Sequence, residues 1–230
     1  MSRSTVSKCF AASSLLFVVL AVITPPAFCA KEKPPQVTED GLELKKQTKQ
    51  RLVYLRPGAS FAQYQRVAIL DCYVEFSKTW LRDYNNSTRD PSRRIQDDDL
   101  ERAKTDLAAQ FKKIFGEELA KGGYQISDSA EPDVLVLRPA LVNIEVSAPD
   151  LMTPGRSTTY AQSSGQMTLY LELLDAATNT PLARVMDAQA DSGMYGQPTT
   201  SVHNRAAADQ IMKQWAQELR KKLELAQGKS

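Results

Sequence analysis

The chain has 230 residues, with 29 Lys and Arg against 27 Asp and Glu, three cysteines and one histidine. Its formal charge of +2 is accounted for by Arg3 and Lys8 near the N-terminus, so the remainder is neutral and has no net field to draw it to nucleic acid or an anionic membrane. One histidine excludes a histidine-rich metal site built from a single chain, and of the cysteines Cys9 and Cys29 fall within the first 30 residues, so an intramolecular disulfide with Cys72 is impossible unless Cys29 is retained.

The first 30 residues have the layout of a secretory signal peptide. Arg3 and Lys8 precede the apolar run from Leu15 to Ile23, and Pro25, Pro26 and Ala27 break it ahead of a small-residue stretch. The run is far shorter than the roughly 20 residues a spanning helix needs, and no later segment approaches that length. Ala27, Phe28 and Cys29 ahead of Ala30 satisfy the small-x-small rule, so the expectation is cleavage after Cys29 or Ala30 and a periplasmic protein with no transmembrane span. The alternative is an outer-membrane lipoprotein anchored through Cys29, with peripheral membrane association. Phe28 and Pro26 stand where lipidation favours a small and an aliphatic residue, and plain secretion is preferred.

Residues 31–50 combine prolines with mixed charge and few large apolar side chains, which reads as a flexible arm. A single domain is expected over residues 51–226, and residues 227–230 read as a tail. Val67 to Leu70, continuing into Cys72, Val74 and Phe76, reads as one inner strand. A polar loop over residues 78–96 follows, with turn chemistry at Asn85, Asn86, Asp90 and Pro91. The clearest element is a helix in which Leu100, Ala103, Leu107, Phe111, Ile114 or Phe115, and Leu119 recur at three- and four-residue spacing. Asp97, Asp98 and Asp99 suit its positive N-terminal end better than they suit a cation, and Gly122 and Gly123 stop it.

A short strand over residues 124–126 precedes a long extended segment over residues 133–147. There Ala140, Val142, Ile144 and Val146 alternate with Leu141, Asn143, Glu145 and Ser147. A Ser/Thr-rich loop follows, and then a hairpin: Met167, Leu169, Leu171 and Leu173 alternate with Gln166, Thr168, Tyr170 and Glu172, residues 175–180 turn, and residues 182–190 return. The last element is a helix over residues 204–225 with Ala208, Ile211, Met212, Trp215, Leu219 and Leu223 on one face, where Trp215 reads as a core anchor. The expected architecture is α+β, a largely antiparallel, mixed sheet of about five strands with two long helices packed on one face.

The search for chemistry returns little. No G-x-S-x-G elbow accompanies His203, no nucleotide loop and no C-x-x-C occur, and no carboxylate pair stands out by spacing. No catalytic residue, metal or cofactor is assigned. Lys78, Arg82, Arg89, Arg93 and Arg94, with Trp80 interleaved, form a basic segment suited to phosphate or carboxylate groups, and they are the candidate contact for an anionic partner.

Several motifs occur in a fixed order. They are Tyr54-Leu55-Arg56-Pro57-Gly58-Ala59, Tyr64-Gln65-Arg66-Val67, Pro132-Asp133-Val134-Leu135, Ala148-Pro149-Asp150, and Gly165 through Leu173 with Ala183-Arg184-Val185. Together they resemble the bacterial envelope family catalogued as domain of unknown function 3313, over about residues 41–225. The resemblance implies an exported Gram-negative protein, often a lipoprotein in that family, with no established activity and no catalytic residues to carry over. Three functions are weighed: a non-enzymatic binding or assembly module holding an envelope protein or anionic envelope component, a carrier of a small or lipidic ligand in a helix/sheet cavity, and a carboxylate-based envelope hydrolase. The first is preferred.

Overall fold

Apolar side chains at period two commit the centre of the chain to strands, and those at period 3.6 commit two long segments to helices. The computed structural model describes residues 33–89, 91, 94–128, 131–146, 159–160, 165–190, 198–199 and 201–228, and of residues 159–160, 198–199 and 201–204 it describes the backbone. The leader, Arg93 and most of the Ser/Thr-rich loop lie outside the described residues. Residues from Pro35 onward form one compact unit.

The strands are β1 (Glu43–Gln47), β2 (Arg51–Leu55), β3 (Arg66–Ile69), β4 (Tyr73–Phe76), β5 (Gln125–Ile126), β6 (Val134–Val146), β7 (Thr159–Tyr160), β8 (Gly165–Asp175), β9 (Pro181–Ala190) and β10 (Pro198–Thr199). The helices are α1 (Lys78–Ser87), α2 (Asp97–Lys121) and α3 (Ser201–Ala226). Eight strands make one mixed sheet in the order β1-β2-β9-β8-β6-β3-β5, with β4 pairing β6 as well, while β7 and β10 pair separately. The half from β1 to β6 is antiparallel, whereas β3, β4 and β5 pair in parallel.

Four expectations need correction. Among the described residues the sheet has eight strands rather than about five, and the helices number three rather than two. The arm over residues 31–50 includes β1, a bridge from Val37 to Glu43 and a fully buried Leu42. Leu42 is the apolar anchor that lets such a polar segment dock. The first inner strand is two, because the chain turns at Leu70 to Cys72 and lays β3 and β4 one after the other along β6. Residues 78–87 of the expected loop are α1.

The long helices and the hairpin sit close to where period and turn chemistry place them. Leu135, Leu137, Leu141 and Ile144 of β6 join Met167, Leu169, Leu171 and Leu173 of β8 on the core face. They share one cluster with Phe111, Phe115 and Leu119 of α2 and with Ile211, Met212, Trp215 and Leu223 of α3. A parallel pair needs a long crossover, and α1 and α2 supply it between β4 and β5. A bulge lies between Val142 and Glu145 where β6 pairs β8, with Asn143 at φ 53°.

Gly165 opens β8 at this bulge. A Cβ there would stand 2.5 Å from the Glu145 carbonyl oxygen, closer than any side chain tolerates. Gly165→Ala is therefore expected to lower stability by roughly 1–3 kcal/mol through forced backbone displacement. Thermal unfolding checks this, and an unchanged midpoint would mean that the strands separate there at no cost.

Candidate functional site

The basic segment begins at a helix cap. The Ser77 hydroxyl accepts from the Trp80 backbone N–H at 3.3 Å, and the Ser77 N–H donates to the Ile144 carbonyl at 2.9 Å, tying the start of α1 to β6. No residue of α1 is fully buried. It is nevertheless held at both ends. The Trp80 ring stacks on Phe76 at 5.6 Å and its indole N–H donates to the Val146 carbonyl at 2.8 Å. Near the C-terminal end of the helix, the Asn85 amide donates to the Ile95 carbonyl at 3.1 Å and accepts from the Ile95 N–H at 2.9 Å, tying α1 to buried Ile95.

Lys78 and Arg82, four residues apart, share a face of α1, and both are exposed, as are Arg89 and Arg94. Arg82 Nε lies 2.9 Å from the neighbouring Asp83 carboxylate. Trp80 is turned inward to the sheet, so its ring anchors the helix. Arg93 lies outside the described residues.

Two further networks went unread in the sequence. On the sheet face away from the helices, Arg138, Glu172 and Arg184 stand side by side in register on β6, β8 and β9. The Glu172 carboxylate accepts from Arg138 Nε at 2.7 Å, from Arg184 Nε at 2.7 Å and from the Tyr170 hydroxyl at 2.8 Å. Arg184 continues to Asp40 at 2.6 Å. Burial by itself would raise the Glu172 pKa, but the hydrogen bonds from Arg138, Tyr170 and Arg184 outweigh it and hold the carboxyl below its ordinary value. Burial and the Glu172 hydrogen bond push the Tyr170 phenol up to about 12. A lowered carboxylate pKa stabilises the fold above the unfolded value, and that contribution is lost as pH falls through the folded one. One half of this network was legible: residues 172 and 184 lie equally far from the centre of the turn at Thr178, which pairs them across the hairpin.

On the core face, Asp187 is 1% exposed. It is ion-paired with Arg51, which also reaches Glu218, and its carboxylate accepts the Trp215 indole N–H at 2.8 Å. The network locks α3 to β2 and β9, and Trp215, 5% exposed, is the core anchor that its position in the helical stripe predicts.

An open groove of about 460 Å³ lies against β6, β8 and β9 beside the start of α1, lined among others by Gln50, Ser77, Asn143, Glu145, Gln166 and Gln189. Glu145 accepts from the Gln166 amide at 2.7 Å. The groove is polar and open, unlike the apolar enclosure that a lipidic ligand needs. Among the described residues no cluster of three or more His, Cys, Asp and Glu is placed to hold a metal ion. No described helix is long and apolar enough to cross a membrane. Burial pushes the Cys72 thiol up to about 12, which disfavours its thiolate.

A family model described as "Protein of unknown function (DUF3313)" matches residues 37–219. No curated protein matches the chain. Solved structures with a similar arrangement include the PelC dodecamer from Paraburkholderia phytofirmans, 14% identical over 74% of this chain and 97% of that one, with a TM-score of 0.38. A DUF4136 family protein from Bacteroides thetaiotaomicron is 13% identical over 75% and 98%, with a TM-score of 0.36. A minor lipoprotein from Acinetobacter baumannii is 13% identical over 72% and 94%, with a TM-score of 0.33. At these scores none of the three bears on activity or assembly.

Proposed function

The chain belongs to the DUF3313 family of proteins of unknown function, and from the surfaces its fold leaves open we propose that it is an exported, non-enzymatic binding or assembly module of the cell envelope, periplasmic, that contacts an anionic envelope component or protein through the basic segment around α1. The mounting of α1 carries this reading. Ser77, Trp80 and Asn85 hold a helix that buries none of its own residues completely. Lys78 and Arg82 therefore project from a fixed support, which lowers the ordering cost of binding, and Arg89 and Arg94 are exposed in the segment that follows it.

The other two readings have less to rest on. A carrier needs space between the helix layer and the sheet, and there Phe111, Phe115, Leu137 and Met212 are all 0% exposed. A hydrolase needs a carboxyl able to donate a proton. Glu172 is instead held ionised between two arginines, and Asp133 is held below its ordinary value, chiefly by the hydrogen bond from Arg66.

Reversing Arg89, Arg93 and Arg94 to glutamate is expected to abolish in-cell crosslinking of the exported chain to its envelope partner while leaving the unfolding midpoint unchanged. Capture by the natural chain should also weaken as salt rises. Full capture by the triple variant at low salt would refute the assignment.

A further inference from the structure

The open groove of about 460 Å³ beside the start of α1 has a chemistry distinct from that of the basic segment. Its polar lining is mostly neutral, because Gln50, Ser77, Asn143, Gln166, Thr168 and Gln189 all carry amides or hydroxyls. Among the described residues that line it there is no lysine, arginine or histidine, and Glu145 is the one carboxylate. Met167 and two alanines make up its apolar part, which offers no pocket for a large apolar group. Its volume falls within the roughly 300–1,000 Å³ of ligand clefts.

Three of these groups are already fixed, each with a hydrogen-bonding function left over. The Gln166 amide nitrogen donates to Glu145 at 2.7 Å and that of Gln189 to Asp187 at 3.3 Å, so each carbonyl oxygen remains as an acceptor. The Ser77 hydroxyl accepts from the Trp80 N–H at 3.3 Å and keeps its own proton to donate. Side chains held in this way lose little freedom when a ligand arrives. Asn143 stands at φ 53° in the bulge of β6. Glycine would meet that backbone requirement; asparagine meets it and adds an exposed amide to the groove.

A ligand matched to this lining is uncharged and both donates and accepts hydrogen bonds at several points. The absence of lining cations disfavours an anion. A peptide adding as a strand finds no free edge, because β6, β8 and β9 each have a neighbour on both sides. We propose that the groove is a saccharide site that takes a neutral, polyhydroxylated glycan. None of the described basic residues assigned to the anionic contact lines it, so the proposal stands independently of that reading.

Isothermal titration of the exported chain with neutral oligomers of glucose, galactose and N-acetylglucosamine tests it. The expected result is binding of at least one of them with a dissociation constant below about 1 mM, unchanged as salt rises because no charge is neutralised. Asn143→Gly, which keeps the backbone conformation, and Gln50→Ala, at an exposed position, should each weaken that binding about fivefold, the usual effect of one hydrogen bond. Neither should lower the unfolding midpoint. Lys113→Ala, on the exposed side of α2, should leave binding unchanged. The proposal is overturned if no oligomer binds, if binding is the same in both groove variants, or if an oligogalacturonate or an uncharged tetrapeptide binds more tightly than every neutral oligomer.

Discussion

Phe111→Ala is expected to destabilise the protein by roughly 3–5 kcal/mol, a large share of the total for a domain of this size. Phe111 lies in the middle of the apolar stripe of α2, is 0% exposed, and stacks on Phe115 with ring centroids 3.9 Å apart. Both rings belong to the cluster formed with the leucines of β6 and β8. Removing one ring opens a cavity that the rigid sheet cannot collapse to fill, and the partner ring loses its stacking contact as well. Lys112, the next residue, is exposed, and Lys112→Ala should change stability by no more than about 0.5 kcal/mol. Denaturant unfolding of the two variants measures the contrast. Equal midpoints would mean that the buried face of α2 is elsewhere.

Asp187→Ala is expected to cost roughly 3 kcal/mol, because deleting one partner of a buried ion pair leaves the other charge poorly compensated. The loss is twofold. Arg51 keeps only Glu218, and the buried Trp215 indole N–H keeps no carboxylate acceptor. Asp187→Asn should cost less, since the amide oxygen can still accept from Trp215. Glu218→Ala, at the solvent-exposed end of the same network, should cost less than about 1 kcal/mol. A series of unfolding midpoints ranks the three variants, and equal effects of Asp187→Ala and Glu218→Ala would show that the buried carboxylate has no special role.

Little of the candidate site was legible in advance. The basic residues from Lys78 to Arg94 were visible as composition, but their support was not. Trp80 looked like part of a binding surface because an aromatic among arginines suits stacking. Its ring and N–H are instead taken up by Phe76 and the Val146 carbonyl. Asp187 carried a detectable signal, since it occupies the core parity of β9 in line with Ala183 and Val185, where a charge demands a partner. The identity of that partner, Arg51, depends on β2 lying beside β9, and no local pattern encodes that adjacency.

The sequence by itself determined α2, α3, the hairpin of β8 and β9, and the long strand β6. Each is specified by near neighbours: apolar residues at a constant period, acids at a helix start, glycines at a helix end, and a turn between two alternating runs. The tertiary structure alone decided the parallel pairing of β3, β4 and β5, the recruitment of β1 and β2 to the sheet, and the helicity of α1. Strand β1 reads Glu-Leu-Lys-Lys-Gln, too polar for its alternation to register, and as an edge strand it is stabilised by pairing with β2 and by buried Leu42 behind it. Ten residues rich in polar side chains are too few to hold a helix in water. The helix α1 forms because a distant strand accepts its tryptophan, an energy that no window of sequence contains.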